Sequence, residues 1–316
     1  MDHFGAGNLI LSRRSFLKAG ASAFVIGRAV SLATRGADAA TPEPSPSSDK
    51  VTVGGHPWVY AAKLPNYDIT PVLPQIFADM KYAGLDAVEL MDVALRPPDA
   101  VERIGELSRR HALPVLGASY SGQMWDRSAH SAILEDAEQV VGRLAQLEGR
   151  TLGVSVGRPT APKTPAQLDA QADCLRRIIK FCSSHGIVLN LHNHTYEVEN
   201  NEHDLKATLA RIPDVKLGPD LNWLIRAKVD PVDFIRQYGH RIVFMHLRDQ
   251  KADGRWPEAM GEGNTDFAAI GWELHAIKFR GDAVIELAHE RDFQPTRPLR
   301  ESLKMSREYV RKTLGY

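Results

Sequence analysis

The sequence predicts a single (β/α)8 barrel, and three observations carry the prediction. From Val51 onward, eight short apolar runs alternate with amphipathic stretches of helical length, the pattern of βα units built around a parallel sheet. Several runs end in imidazoles or carboxylates, as buried strands do when they deliver polar groups to a barrel's rim. Neither G-x-G-x-x-G nor G-x-x-x-x-G-K-[ST] occurs, so the phosphate turn usual in an open doubly wound sheet is missing.

The expected strands are Trp58–Ala62, Ala87–Leu90, Val115–Ala118, Leu152–Val156, Ile187–Leu191, Val215–Leu217, Ile242–Met245 and Ala283–Leu287. Helices are expected near 71–83, 98–111, 128–147, 165–184, 201–211, 231–238, 266–276 and 298–313. Ala83-Gly84, His185-Gly186 and Tyr238-Gly239 supply helix stops. Starts come from Thr70-Pro71, Thr164-Pro165 and Asp230-Pro231, a capping side chain before a proline whose missing N–H costs the first turn nothing.

The chain of 316 residues is 43% hydrophobic and 25% charged, with 39 basic and 39 acidic residues. That balance argues against a nucleic-acid or anionic-membrane partner. Ser12-Arg13-Arg14-Ser15-Phe16-Leu17-Lys18, the mildly apolar Ala19–Ala33 and the small residues Ala37-Asp38-Ala39 resemble a twin-arginine (Tat) export signal. Arg28 and Arg35 interrupt the apolar stretch, which argues against a permanent membrane span. The expected organisation is a signal over 1–39, a flexible Pro/Ser linker over 40–50 and the barrel over 51–316. It implies the Tat machinery as a partner and a periplasmic location after cleavage near Ala39. Removing 1–39 takes away five basic and two acidic residues, leaving 34 against 37 and a formal charge of −3. Cys174 and Cys182 lie eight apart on one expected helix, about 12 Å of rise, too far for a disulfide, and read as buried hydrophobes.

Chemistry in such a barrel belongs to the C-terminal ends of the strands. Reading off those ends gives Lys63, Glu89, Ser119, Tyr120, Arg158, His192, His194, Glu197, Asp220, Asn222, Trp223, His246, Arg248, Glu286 and His289. Histidine, aspartate, histidine and glutamate at four successive strand ends point to a metal site. Glu286 sits inside Ala-Val-Ile-Glu-Leu-Ala, where an unpartnered carboxylate would cost several kcal/mol, roughly, and a metal is the economical partner. Alternation puts His192 and His194 on one face, and either could be the ligand. The connections Gly117 to Arg127 and Asp249 to Thr265 could close over a ligand with Trp125 and Trp256 as lids.

Leu191-His192-Asn193-His194, Gly218-Pro219-Asp220-Leu221-Asn222, Met245-His246-Leu247-Arg248-Asp249, Gly261-Glu262-Gly263 and Val284-Ile285-Glu286 together resemble the xylose isomerase-like TIM-barrel superfamily. This group, usually labelled sugar phosphate isomerases/epimerases, also contains the family-2 AP endonucleases, and the resemblance runs from Val51 to the end. It implies one divalent metal, Mn²⁺ first, with Zn²⁺, Mg²⁺ or Co²⁺ as alternatives. Glu, Asp, His and Glu of strands 5 to 8 hold it in sugar epimerases of the group. Asp220, His246 and Glu286 take the last three places, and the first falls at or beside His192. The endonucleases hold three zinc ions with further histidines on strands 2 and 3, where Glu89-Leu90 and Ala118-Ser119 carry none.

The implied activity is sugar isomerisation or epimerisation, in which a proton leaves the carbon beside a carbonyl and the metal stabilises the enediolate. Glu286 would be ligand and base, with His194 or Glu89 as its partner acid. Lys63, Glu197 and Arg248 would hold polar groups of the carbohydrate, and Trp125, Trp223 and Trp256 its apolar face. The departure at His192 leaves room for a lyase that cleaves 3-keto-glycosides by β-elimination. A third reading is a non-catalytic periplasmic carbohydrate-binding barrel. Homo-oligomerisation is left open.

Overall fold

The computed structural model describes residues 50–316; the expected signal and all of the expected linker but Lys50 lie outside the described residues. Eight parallel strands form one sheet: β1 (Thr52–Gly55), β2 (Ala87–Met91), β3 (Val115–Ser121), β4 (Thr151–Ser155), β5 (Val188–Leu191), β6 (Lys216–Leu217), β7 (Phe244–Leu247) and β8 (Asp282–Ile285). Their order is β6-β5-β4-β3-β2-β1-β8-β7. Two isolated parallel bridges, Leu217↔Ile242 and Asp220↔His246, join β6 to β7. The arrangement is the expected single-domain (β/α)8 barrel.

The helices are α1 (Trp58–Ala61), α2 (Leu73–Tyr82), α3 (Ala100–His111), α4 (His130–Gln146), α5 (Pro165–Ser184), α6 (Thr195–Arg211), α7 (Leu221–Arg226), α8 (Pro231–Tyr238), α9 (Phe267–Ala276) and α10 (Leu299–Leu314). None of the described helices is long and apolar enough to cross a membrane. Thr164 and Gln167 cap α5 reciprocally, and Asp230 accepts the N–H groups of Val232 and Asp233 at the start of α8. Gly84 and Gly186 take the left-handed conformation that ends their helices, at φ +75° and +70°. Gly239 instead continues right-handed into a 3₁₀ turn. Cys174 and Cys182 are buried free thiols.

One expected strand is corrected. Trp58–Ala62 is not β1; after Pro57 it turns into α1, and β1 is the preceding Thr52–Gly55. Two glycines give that segment little strand signal, yet the barrel needs them. A Cβ on Gly54 would stand 3.1 Å from Leu116 and 3.3 Å from Val284, inside the barrel floor. The start of α6 also differs. Its first turn begins at Thr195, then Asn200, Asn201 and Glu202 carry positive φ before the helix resumes.

Period-two alternation builds the site from this floor. Ala87, Leu116, Phe244 and Val284 form a small apolar cluster separate from the main core between strands and helices. Two residues further along the same strands, on the same face, stand Glu89, His246 and Glu286. The same step leads from Gly54 to His56 and from Asn190 to His192. The polar rim is therefore one layer above a largely apolar plug, whose polar member Asn190 is bonded to Thr151.

Candidate active site

His246 lies at the centre of the rim. Its Nε2 is 2.6 Å from Glu89 Oε2, and its Nδ1 is 2.7 Å from Glu286 Oε2. The first contact is a hydrogen bond. The second is close enough for an ion pair but out of line for a hydrogen bond, so Nδ1 is a buried nitrogen without a hydrogen-bond partner among the described residues. Burial alone would lower the His246 pKa, but Glu89 and Glu286 outweigh it and raise it to about 10.

Arg248, two residues on and on the same face, is buried between carboxylates. Its Nη2 pairs with Glu286 Oε1 and lies 3.0 Å from Asp220 Oδ2. Burial opposes ionisation of Glu286, yet Arg248, His56 and His246 together hold it well below the usual carboxylate range. For Asp220 the balance differs: burial raises its pKa against the pull of Arg248. Asp220 also caps α7, accepting N–H groups from Asn222 at 2.8 Å and Trp223 at 3.1 Å through Oδ1. Asn193 holds the Asp220 peptide from the neighbouring strand end, accepting its N–H at 3.2 Å.

His56, which the misplaced first strand concealed, closes the cluster from β1. Its Nδ1 accepts the Trp58 N–H at 3.2 Å, so its proton sits on Nε2, 3.1 Å from Ser119 Oγ. Burial lowers its pKa against the pull of Glu286 and Glu89. Val51-Thr-Val-Gly-Gly-His56 has the same form as the other strand ends, a short run closed by an imidazole, and that was the available signal.

The donor atoms of His192, Asp220 and His246 lie within 4.8 Å of one another. Two imidazoles and a carboxylate suit Zn²⁺ or Mn²⁺. Charge counting agrees with the donor set. Formally, the carboxylates of Glu89, Asp220 and Glu286 face one guanidinium and one imidazolium, a deficit of one positive charge. A dication in place of the His246 proton closes that deficit, and the orphaned Nδ1 is an atom ready to ligate. Burial, then His246 and His194, push His192 well below its ordinary pKa, keeping its ring neutral as a ligand must be. The residues fit a divalent cation, with Glu286 adjoining the trio through His246 and Arg248.

His194 and Glu197 lie beside this cluster. Burial takes His194 down to about 4. Its side chain is 28% exposed, so solvent tempers the shift, and the ring is neutral at pH 7 either way. Glu197 is buried, accepting the His194 backbone N–H at 2.7 Å and the Ser155 hydroxyl at 2.5 Å. Burial raises it to about 7. The carboxylate thus faces the chain's own donors. Ser155, at the end of β4, is a site residue that the sequence does not single out, whereas Arg158 further along is exposed.

Trp223 and Trp256 form one wall, edge to face at 6.2 Å, with the Trp256 indole N–H donated to Asn222 at 2.9 Å. The Arg226 guanidinium lies 4.2 Å from the Trp256 ring, and Arg248 5.4 Å from that of Trp223. Trp125 is tied to its own loop by a 2.7 Å bond to Gln123. Lys63 follows α1 rather than a strand and is exposed, though its charge helps burial to lower His289.

Fold and rim define a barrel with an imidazole–carboxylate centre at its C-terminal mouth. The chain belongs to the xylose isomerase-like TIM barrel family, whose model matches residues 77–309. Among solved structures it is similar to a D-allulose 3-epimerase from Methylomonas sp., at 18% identity and a TM-score of 0.69, covering 84% of this chain and 98% of that one. A sugar phosphate isomerase/epimerase from Parabacteroides distasonis gives 16% and 0.65, covering 86% and 97%. A 3-keto-D-glucoside 4-epimerase from E. coli gives 19% and 0.61, covering 82% and 100%. A search of curated protein sequences gives no match.

Proposed function

We propose that this barrel is a divalent-metal-dependent sugar isomerase or epimerase that moves a proton on the carbon beside a carbonyl. The observation that carries the reading is the gathering of His192, Asp220 and His246 donor atoms within 4.8 Å, flanked by Glu286 and Glu89 at the mouth. Epimerases and isomerases of sugars among the structural neighbours support it. A bound dication, Mn²⁺ in the first instance, would supply Lewis-acid stabilisation of the charge left when the proton departs.

The chain supplies the rest. Glu286 is ionised and faces the centre, but the contacts that keep it ionised also weaken it as a base. Access rather than strength then assigns the proton-accepting role to His194, whose neutral ring is 28% exposed at the mouth, and leaves the buried Glu286, held by His246 and Arg248, to orient and ligate. Glu89 holds the His246 ring through its Nε2. Trp223 and Trp256 offer flat apolar surface to a sugar ring and exclude water from one side of it. The twin-arginine motif supports an exported enzyme working in the periplasm.

The unequal pair of a weakened carboxylate and a neutral imidazole also favours a second reading, β-elimination on a 3-keto-glycoside, which needs a single base. One experiment separates the readings. The purified chain is assayed for bound metal, then incubated in D₂O with ketoses and with 3-keto-glycosides. Deuterium uptake without cleavage is the expected result; aglycone release with an enol product would select the lyase. Asp220→Ala should lose the metal and slow exchange more than about 100-fold. Sugar binding without turnover or metal would sink both in favour of a binding protein.

A further inference from the structure

We propose that Ser155 and Glu197 are positioning residues that fix the tautomer of His194, keeping its proton on Nδ1 so that Nε2 is the basic nitrogen. The inference rests on His194 being the proton acceptor of the reading above, and it adds how the chain prepares that group.

The argument is a count of protons. Ser155 is buried at the end of β4, and its Oγ has three polar neighbours: Glu197 Oε1 at 2.5 Å, Tyr196 Oη at 3.0 Å and His194 Nδ1 at 3.1 Å. A hydroxyl donates once and accepts twice. The Glu197 carboxylate accepts only, and it already receives the His194 N–H on Oε2 and the Val156 N–H, at 3.3 Å, on Oε1. The single Ser155 proton therefore points to Glu197. Tyr196 Oη also lies 3.3 Å from His194 Nδ1, but the two rings are stacked with 7° between their planes, which sets that oxygen off the in-plane Nδ1 lone pair, and its proton goes to the nearer Ser155 Oγ. Toward both neighbours Ser155 is then an acceptor, so His194 presents N–H at Nδ1 and a lone pair at Nε2. Tyr196 fixes the ring plane, stacking on His194 at 5.3 Å with 7° between the planes.

The competing arrangement runs the other way. A protonated Glu197 would donate to Ser155, Ser155 to His194 Nδ1, and the imidazole proton would sit on Nε2. Burial places Glu197 at about 7, so measurement at about pH 8.5 favours the carboxylate form.

The readout is the pair of ring ¹⁵N shifts of His194 in the full chain, labelled at histidine and assigned with His194→Gln. Spectra at about pH 8.5 are taken after chelation and with diamagnetic Zn²⁺. Wild type should show a pyrrole-type Nδ1 and a pyridine-type Nε2. Glu197→Gln keeps the shape but turns an acceptor into an amide donor, which reverses Ser155 and should move the proton to Nε2. Its kcat should fall about 100-fold with KM little changed, the size of one misdirected base. Ser155→Ala should leave a mixed tautomer, and Tyr196→Phe should leave Nδ1–H in place. A wild-type Nε2–H tautomer, or an unchanged tautomer in Glu197→Gln, overturns the assignment. The tautomer needs no turnover to be read, so a failed deuterium-exchange assay would count against the enzymatic reading alone.

Discussion

Arg248 and Glu197 show how single side chains set the chemistry of the rim. Without the Arg248 guanidinium, Asp220 and Glu286 would be left as buried charges with one partner fewer. Arg248→Met should therefore cost about 3–5 kcal/mol in urea unfolding without metal, with part of the loss recovered on adding Mn²⁺. An unchanged urea midpoint would show that the ion pairs contribute nothing. Glu197 has a pH signature of its own. Its pKa rises from the ordinary 4.5 to about 7 in the fold, so between those values the folded state holds more protons than the unfolded one. The associated stability is fully present below pH 4.5 and is lost as pH rises through 7, about 3 kcal/mol in all. Comparing urea midpoints of wild type and Glu197→Gln at about pH 5 and pH 8 reads it directly: the substitution should flatten this slope.

Among the elements, the segment 250–265 depends on one carboxylate. Asp249 accepts the N–H groups of Gln250 at 2.8 Å, Gly261 and Gly263 at 2.9 Å each, and Thr265 at 3.2 Å. The loop carrying Trp256 is thus folded around a side chain at the end of β7. Asp249→Ala should destabilise by about 2 kcal/mol or more and raise KM, since the tryptophan wall loses its footing; thermal melts and steady-state kinetics check both. Legibility from sequence followed the same physical lines. Strands rich in Val, Ile and Leu, such as β5 and β8, announced themselves. β1 did not, because its glycines answer to close approach, Gly54 to Leu116 and Val284 and Gly55 to Leu85 and Met80, a constraint between segments far apart in sequence. His192, Asp220, His246 and Glu286 were readable as strand ends. Their partners were not: the Glu89–His246 bond joins residues 157 apart, and Ser155–Glu197 joins residues 42 apart. Arg248 could be placed at the mouth from its spacing to His246, but its burial between two carboxylates is a tertiary fact.

For the whole molecule, a dication held at the rim as proposed would couple metal loading to folding through the barrel. A dication that binds the folded rim and not the unfolded chain should add about 2.7 kcal/mol at a hundredfold excess over its Kd. The melting temperature should rise on Mn²⁺ addition and fall with a chelator, and Asp220→Asn should abolish the response; a shift that survives in that variant would place the cation elsewhere. The barrel itself was legible because eight βα units in one chain have few other ways to bury both faces of a parallel sheet. How the cylinder closes was not, since that depends on β6, a strand of two residues.

The closure has a dynamic consequence. Among the described residues, β6 meets β7 through two isolated bridges, and one of them is Asp220 to His246. The thinnest join of the cylinder and two members of the donor cluster are therefore the same place. Opening there should be the lowest-energy excursion of the sheet, visible as the earliest amide exchange at Val243 and His246, whose N–H groups donate across the join to Leu217 and Pro219. Any ligand gripping both sides would act as a rivet, slowing that breathing far more than the exchange of amides on the opposite side of the cylinder.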